Sequence, residues 1–236
     1  MTETPVITPL SALLTGPVAP LSSPDGTRTV PSGIAKTPVS SPLWLGPTGF
    51  SGDGQGDIRH HGGPEKAVHH YPFDHYPRWQ ADLGPHPLLR AAGAFGENLS
   101  TLGLDETTVA VGDVFRLGAA LVQVSQGRQP CFRLNLRFGR ADMARRVQGS
   151  GRTGWYYRVL EPGTVSPGDT LALVDRIAPA WPLSRLWRTL YADPLNRGEL
   201  QRIAALTPLA ENWRALAARR LDSGGVEDWG RRLDGP

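Results

Sequence analysis

The residue most able to do chemistry in this sequence is its one cysteine, Cys131. It stands in Gln126-Gly-Arg-Gln-Pro-Cys131-Phe-Arg133, directly after the apolar run Leu121–Val124, which reads as a strand. A thiol between Arg128 and Arg133 is biased toward thiolate, the form that binds soft metals or attacks electrophiles. A buried cysteine acting as a small hydrophobe is the plainer alternative. Residues 128–158 carry eight arginines against one acid, Asp142. Gly, Trp and Tyr interleave with these arginines, which suits a pocket for a phosphorylated ligand better than a smooth solvated face. Nucleic-acid phosphate is a second target for the same charges.

All six histidines fall between His60 and His86. His60-His61, His69-His70 and His75 raise the question of a metal site, since imidazole is the commonest metal ligand. There is no HExxH pattern, and only Asp57 and Asp74 stand near as carboxylate ligands. The preferred reading is a turn, His61-Gly62-Gly63-Pro64, opening a helix over Glu65–Tyr71 whose first backbone N–H groups face an anion. Gly52-Asp-Gly-Gln-Gly56 lacks the GxGxxG spacing and no P-loop occurs. No NAD(P) or nucleoside triphosphate site is therefore expected.

The elements that must position these residues follow from composition and pattern. The 236 residues include 28 Gly and 22 Pro, with 39% hydrophobic residues and seven Trp, so collagen, disorder and long helices are poor readings. One thiol excludes an intrachain disulfide, a cysteine-based zinc site and a four-cysteine iron–sulfur cluster. The net charge of +3 is modest for a nucleic-acid binder. Met1–Pro17 has no basic leader pattern, and no apolar run approaches membrane-spanning length, so a soluble cytoplasmic protein is expected.

Val109 and Val111 alternate, Gly112-Asp113 turns, and Val114–Leu117, Leu121–Val124, Trp155–Leu160 and Thr170–Val174 read as short strands. Many short strands with frequent turns predict a closed or rolled antiparallel sheet. After about residue 180 the pattern turns helical, over Pro182–Tyr191, Leu195–Leu206 and Pro208–Leu221. Asp193-Pro194 and Thr207-Pro208 are the expected N-cap pairs, and Gly224-Gly225 the stop. The fold class is thus mainly β with α. A β-barrel domain is expected over 1–178 and a three-helix bundle over 179–236.

The ordered motifs resemble the MOSC-domain family, the module shared with molybdenum cofactor sulfurases, in its YiiM-type branch with a C-terminal three-helix domain. They begin with Ile34-Ala-Lys-Thr-Pro-Val39, Gly49-Phe-Ser-Gly-Asp53 and His61-Gly-Gly-Pro-Glu-Lys-Ala-Val68. They continue through Ala94-Phe-Gly-Glu-Asn-Leu-Ser100, Val111-Gly-Asp-Val-Phe-Arg116, Arg128-Gln-Pro-Cys131, Gly154-Trp-Tyr-Tyr157 and Pro162-Gly-Thr164. Together they cover about residues 33–175 in order.

The resemblance implies a MOSC-type β-barrel holding a molybdenum cofactor of the molybdopterin type, with Cys131 as the molybdenum ligand. Lys36, with Thr37 beside it, would meet the pterin phosphate. Arg128 and Arg133 would contact the pterin or its phosphate, and Tyr156 would lie beside the site. His61, Lys66 and Asn98 come from motif loops at the pocket rim, Gly62, Gly63 and Asn98 count among the cofactor-binding residues, and Glu97 holds its own loop. His61 and Lys66 are the candidate proton donors. The implied activity is reduction of N-hydroxylated compounds, notably hydroxylaminopurine-type base analogues, by oxygen transfer to molybdenum. Against the similar eukaryotic amidoxime-reducing branch, Pro130 stands where an arginine would be expected. The chain has neither an iron–sulfur cluster nor an NAD(P) site of its own by this reading, so a separate electron-donating reductase is implied. The arginines of the helical part, Arg214, Arg219, Arg220, Arg231 and Arg232, are read as a solvated face, with an acidic redox partner as the alternative. No membrane or nucleic-acid partner is expected. A non-catalytic carrier of the same cofactor remains the alternative function, with a nucleic-acid or anion-binding protein behind it.

Overall fold

The computed structural model describes residues 6–56 and 62–235. Thirteen strands are found among them: β1 Ile7–Thr15, β2 Ala19–Ser22, β3 Thr29–Ser32, β4 Thr37–Pro38, β5 Leu43–Gly46, β6 Gly49–Phe50, β7 Val68–His70, β8 Leu99–Thr101, β9 Asp113–Leu117, β10 Ala120–Gly127, β11 Trp155–Glu161, β12 Gly163–Val165 and β13 Thr170–Arg176. Seven of them close a barrel in the order β13-β9-β10-β11-β7-β8-β1, with β1 returning to β13 through Ile7↔Ala172. Closure leaves these strands no open edge. The one parallel pair in the ring is β7–β8, joined at His70↔Leu99. A parallel pair needs a long crossover, and residues 71–98 supply it, including the helix His75–Leu83.

The expected strands within 113–176 are present, whereas Val109–Val111 makes only an isolated bridge, Ala110↔Pro182. The helix expected over Glu65–Tyr71 does not form. A single 3-10 turn, Pro64–Lys66, is followed at once by β7, all three of whose residues are buried. Pairing of Val68, His69 and His70 with Tyr157, Tyr156 and Trp155 holds that segment extended. One turn aligns too few peptide dipoles to act as an anion-binding helix end.

Strand β10 is buried along nearly its whole length. The barrel interior covers one face, and the helices Leu183–Trp187, Arg197–Ala204 and Glu211–Ser223 serve the other. Ala210 N–H donates to the Ser125 carbonyl at 2.8 Å. Trp213 lies against Gly127 so closely that a Cβ there would meet its ring at 3.2 Å. Leu186, Leu190, Leu200, Ile203, Leu209 and Trp213 join Phe115, Val122, Val124 and Trp155 in one continuous apolar core.

The three expected helices exist but start later than expected. Asn196 caps the second by accepting from Glu199 N–H at 3.2 Å, because Asp193–Asn196 is itself a turn. The third begins at Glu211, since Ala210 is held by the barrel. A fourth short helix, Gly230–Leu233, follows. The arginine face is mixed: Arg219 and Arg231 are exposed, but Arg220 is buried and paired with Glu227 at 2.7 Å. No helix among the described residues is long and apolar enough to cross a membrane.

Three of the four described histidines, His69, His70 and His75, are built into the interior, and His86 is half-buried. His70 is fully buried, with its ring nitrogens at 3.0 Å from Tyr157 Oη and 2.9 Å from Thr101 Oγ1. His75 meets Glu106 at 2.7 Å. Among the described residues, no three His, Cys, Asp or Glu side chains gather as a metal-ligand set. Burial depresses the His70 pKa from the ordinary 6.5 to about 3. The unfolded chain therefore takes up a proton near pH 6.5 that the folded chain refuses, so stability is full above that pH and falls as pH drops toward 3. The expected loss is about 1.4 kcal/mol per pH unit. Burial of His69 acts in the same direction. Denaturant titrations at pH 7, 6 and 5 on wild type and His70→Gln should show the variant losing that much of the slope. An unchanged slope would contradict the assignment.

Candidate functional site

A half-open cleft of about 600 Å³ lies where the barrel core meets a second apolar cluster. That cluster packs Tyr76, Trp79 and Phe95 from the crossover against Leu134, Phe138 and Val147 of the helices Arg133–Phe138 and Met143–Ser150. Ala67 reaches the cleft from the barrel core, while Ile34 and Phe95 reach it from the second cluster.

Of the residues singled out from sequence, Cys131, Lys36, Lys66, Asn98, Arg128, Arg133 and Tyr156 all line this cleft. They come from chain segments up to 120 positions apart, from Lys36 to Tyr156, which only the barrel closure and the crossover bring together. Three of the predicted residues do not line it. Thr37 is exposed on β4, where backbone pairing with Thr15 turns it away, and Gly62 and Gly63 precede the 3-10 turn without reaching the cavity. His61 lies outside the described residues.

Strand β10 ends at Gly127 and delivers Arg128, whose N–H donates to the Gly154 carbonyl at 3.0 Å. Arg128 is buried, and its Nη1 has no hydrogen-bond partner among the described residues. The same holds for His69 Nε2, whose ring lies 5.0 Å from that of Tyr156. Burial, with Arg128 as the next cause, holds His69 well below the usual imidazole range, so it is neutral at neutral pH. Burial pushes the Tyr156 phenol up, opposed by Arg128. Buried polar atoms are nearly always satisfied. Two orphaned atoms on residues that line one cleft mark it as a place for a polar ligand.

Lys36 is a different case from the bare point charge expected. Its ammonium pairs with the Asp53 carboxylate, and both are almost wholly buried. Asp53 also accepts from Gly16 N–H at 3.0 Å and from Asn98 Nδ2 at 2.8 Å. Burial lowers the Lys36 pKa, and Asp53 opposes the shift. The pair fixes the wall that carries Asn98, whose side-chain Oδ1 accepts from His69 N–H at 3.1 Å. Asp53 is the one carboxylate among the lining residues, against the four cations Lys36, Lys66, Arg128 and Arg133. Among the described lining residues, cations thus outnumber carboxylates.

Glu97 does hold its loop. It is fully buried, accepts from Gly93 N–H at 2.7 Å and Phe95 N–H at 3.0 Å, and takes a short bond from the Tyr76 hydroxyl. Of the eight arginines in the block, only Arg128 and Arg133 reach the cleft. Arg145 and Arg146 pair with Asp234 and Asp142, Arg152 stacks on Trp79 at 3.8 Å, and Arg158 pairs with Glu65.

Asp53 and Glu106 are given no role by the sequence, which offers His69 only as a possible metal ligand. Glu106, in the stretch between the motifs ending at Ser100 and beginning at Val111, accepts from Thr153 N–H at 2.8 Å and Gly154 N–H at 2.7 Å. It thereby braces the peptide on which Arg128 rests. Asp53 was visible as the last residue of a motif, but nothing local marks its partner 17 positions away.

The model for a MOSC domain matches residues 57–172, and that for a YiiM-like three-α-helix domain matches residues 181–224. The protein YiiM of Escherichia coli is 40% identical over 205 residues, covering 87% of this chain and 91% of that protein. The uncharacterized protein YflK of Bacillus subtilis is 52% identical over 149 residues, 63% of this chain and 66% of that one. A Gibberella moniliformis protein named "Reductase" is 40% identical over 164 residues, 69% of this chain but 29% of its own length. The crystal structure of E. coli YiiM superposes with a TM-score of 0.81 at 34% identity, covering 97% of this chain and 99% of that one. That of YiiM from Geobacillus stearothermophilus gives 0.75 at 33%, with 91% and 99% covered. This chain belongs to the MOSC-domain family, in the YiiM-type arrangement of a MOSC domain followed by a three-helix domain.

Proposed function

We propose that this protein is a molybdenum cofactor-dependent reductase of N-hydroxylated compounds of the hydroxylaminopurine class. The observation that carries the reading is one cleft that joins a cysteine to several cations, with Arg128 Nη1 and His69 Nε2 buried there unpartnered among the described residues. The donor set fits the cofactor: a soft thiolate for molybdenum, and guanidinium and ammonium groups for an anionic pterin phosphate. Cys131 is the metal ligand in this reading, while Arg128, Arg133 and Lys66 hold the anion and Asn98 and Tyr156 flank it. When bound, the group supplies the two-electron chemistry that reduces an N–O bond.

The remaining work falls to the chain's own side chains. Arg128, buried and anchored through its backbone to Gly154, orients the anion without having to order a flexible side chain first. The second apolar cluster excludes water from one wall of the cleft. His69 is neutral and serves as a hydrogen-bonding group rather than an acid. Lys66 lines the cleft and is the proton donor of this reading.

Electrons come from a separate reductase, since the lone cysteine is already committed to the metal. The fungal relative named "Reductase" supports both the activity and the partner, because the part similar to this chain is a minor share of it. The test is molybdenum and pterin content of protein made in a cofactor-competent host, followed by turnover of 6-hydroxylaminopurine with a supplied electron donor. Near-stoichiometric molybdenum with turnover is expected. Molybdenum without turnover would make the protein a carrier, and no molybdenum would overturn the reading.

A further inference from the structure

We infer that Arg232 is a positioning residue for Cys131, holding the cysteine loop from both sides at once. The inference rests on the reading of Cys131 as the reactive residue of the cleft. The peptide before the cysteine is fixed by the Arg232 guanidinium, whose Nη1 donates to the Pro130 carbonyl at 2.5 Å. The peptide after it is fixed by the Arg232 backbone, whose carbonyl accepts from Phe132 N–H at 2.8 Å. One residue thus pins both peptides that flank Cys131.

Arg232 is itself anchored. Its Nη2 donates to Gln148 Oε1 at 2.6 Å, on the helix Met143–Ser150. The next residue, Leu233, is buried, and its carbonyl accepts from Asn135 Nδ2 at 2.7 Å. Asn135 Oδ1 in turn accepts from Ala144 N–H at 2.7 Å, joining the two helices that follow the cysteine. Without Arg232, the Pro130 carbonyl and the Phe132 N–H keep no other hydrogen bond among the described residues, and the loop rests on one proline and the start of a six-residue helix. A guanidinium suits this task because its planar fork reaches two acceptors in fixed directions.

A single cysteine makes the test unambiguous, because thiol modification reports on Cys131 alone. The full chain, made in a host lacking the cofactor, is treated with iodoacetamide at fixed pH. Cys131 lines the cleft with its side chain mostly buried, so its modification rate reports how readily the loop opens to expose it. Arg232→Ala should raise the rate about tenfold, as expected for losing a hydrogen bond that closes a local opening. Arg232→Lys should restore part of the protection, and the exposed neighbour variant Arg231→Ala should react as wild type. Ile203→Val, which lowers stability through the core away from the loop, should also react as wild type. A wild-type rate in folded Arg232→Ala, or an equal rise in Arg231→Ala or Ile203→Val, would overturn the assignment. Should Arg232→Ala fail to fold, Gln148→Ala decides the matter, with about a threefold rise expected and a wild-type rate counting against. In a cofactor-competent host, Arg232→Ala should also purify with less molybdenum than wild type. If wild type itself holds no molybdenum, the proposed function fails while the modification rates still decide the role of Arg232.

Discussion

Protein carrying Cys131→Ala, made in a cofactor-competent host, is expected to purify with at least about 100-fold less molybdenum per chain than wild type and to lose reduction of hydroxylaminopurine in proportion. Loss of a supporting partner of a metal ligand already costs 10–100-fold in affinity, and the ligand itself costs more. The fold should survive, because the change removes one sulfur from a small buried side chain, at about 1 kcal/mol. The cationic wall of Arg128, Arg133 and Lys66 is left in place. Pterin retained without metal would therefore assign anchoring to the cations and ligation to the thiol. Wild-type molybdenum occupancy would remove Cys131 from the site altogether.

The second large effect is structural. Glu106→Ala should destabilise the protein by about 3–5 kcal/mol, the range for removing one partner of a buried charged network. Glu106 is buried; Oε1 accepts from Thr153 and Gly154, and Oε2 meets His75 at 2.7 Å. Alanine leaves two buried N–H groups and an imidazole without their acceptor. Glu106→Gln keeps one carbonyl oxygen for the two N–H groups and should cost less than half as much. Denaturant unfolding of both variants checks the order. The damage should also reach the cleft, since Gly154 carries the carbonyl on which Arg128 N–H rests. Its own φ of 70° and the crowding of a Cβ by Tyr71 at 3.0 Å leave no substitute for glycine there. A cost below 1 kcal/mol for Glu106→Ala would show that the loop is held by other means.

How far the sequence could be read depended on whether an element's pattern was local. Strands β9, β11 and β13 alternate or sit between clear turns, so their type and place were legible. The length of β10 was not, because helices cover its outer face and its burial carries no alternation. Strand β7 was misread as helix since Val-His-His follows Pro-Glu-Lys, a good first turn, and polar side chains concealed full burial. His70 is tolerated there only because Tyr157 and Thr101 satisfy its ring, and neither is near it in sequence. The same applies to the site. Cys131, Arg128 and Arg133 were readable as a cluster along the chain. Asp53 beside Lys36, Glu106 beneath Gly154 and Arg232 across Pro130 were not, because each contact is made by the closed fold.

The bond from Arg232 to Pro130 spans 102 positions. At synthesis rates of roughly 5–20 residues per second, the cysteine loop leaves the ribosome about 5–20 seconds before the residue that ties it down is even made. For that interval Cys131 belongs to a nascent barrel with a slack loop, open to oxidants and stray metals. The loop is tied down only when the distant segment arrives, so, if Cys131 holds the proposed ligand, its capture is expected at a late step of the protein's own maturation.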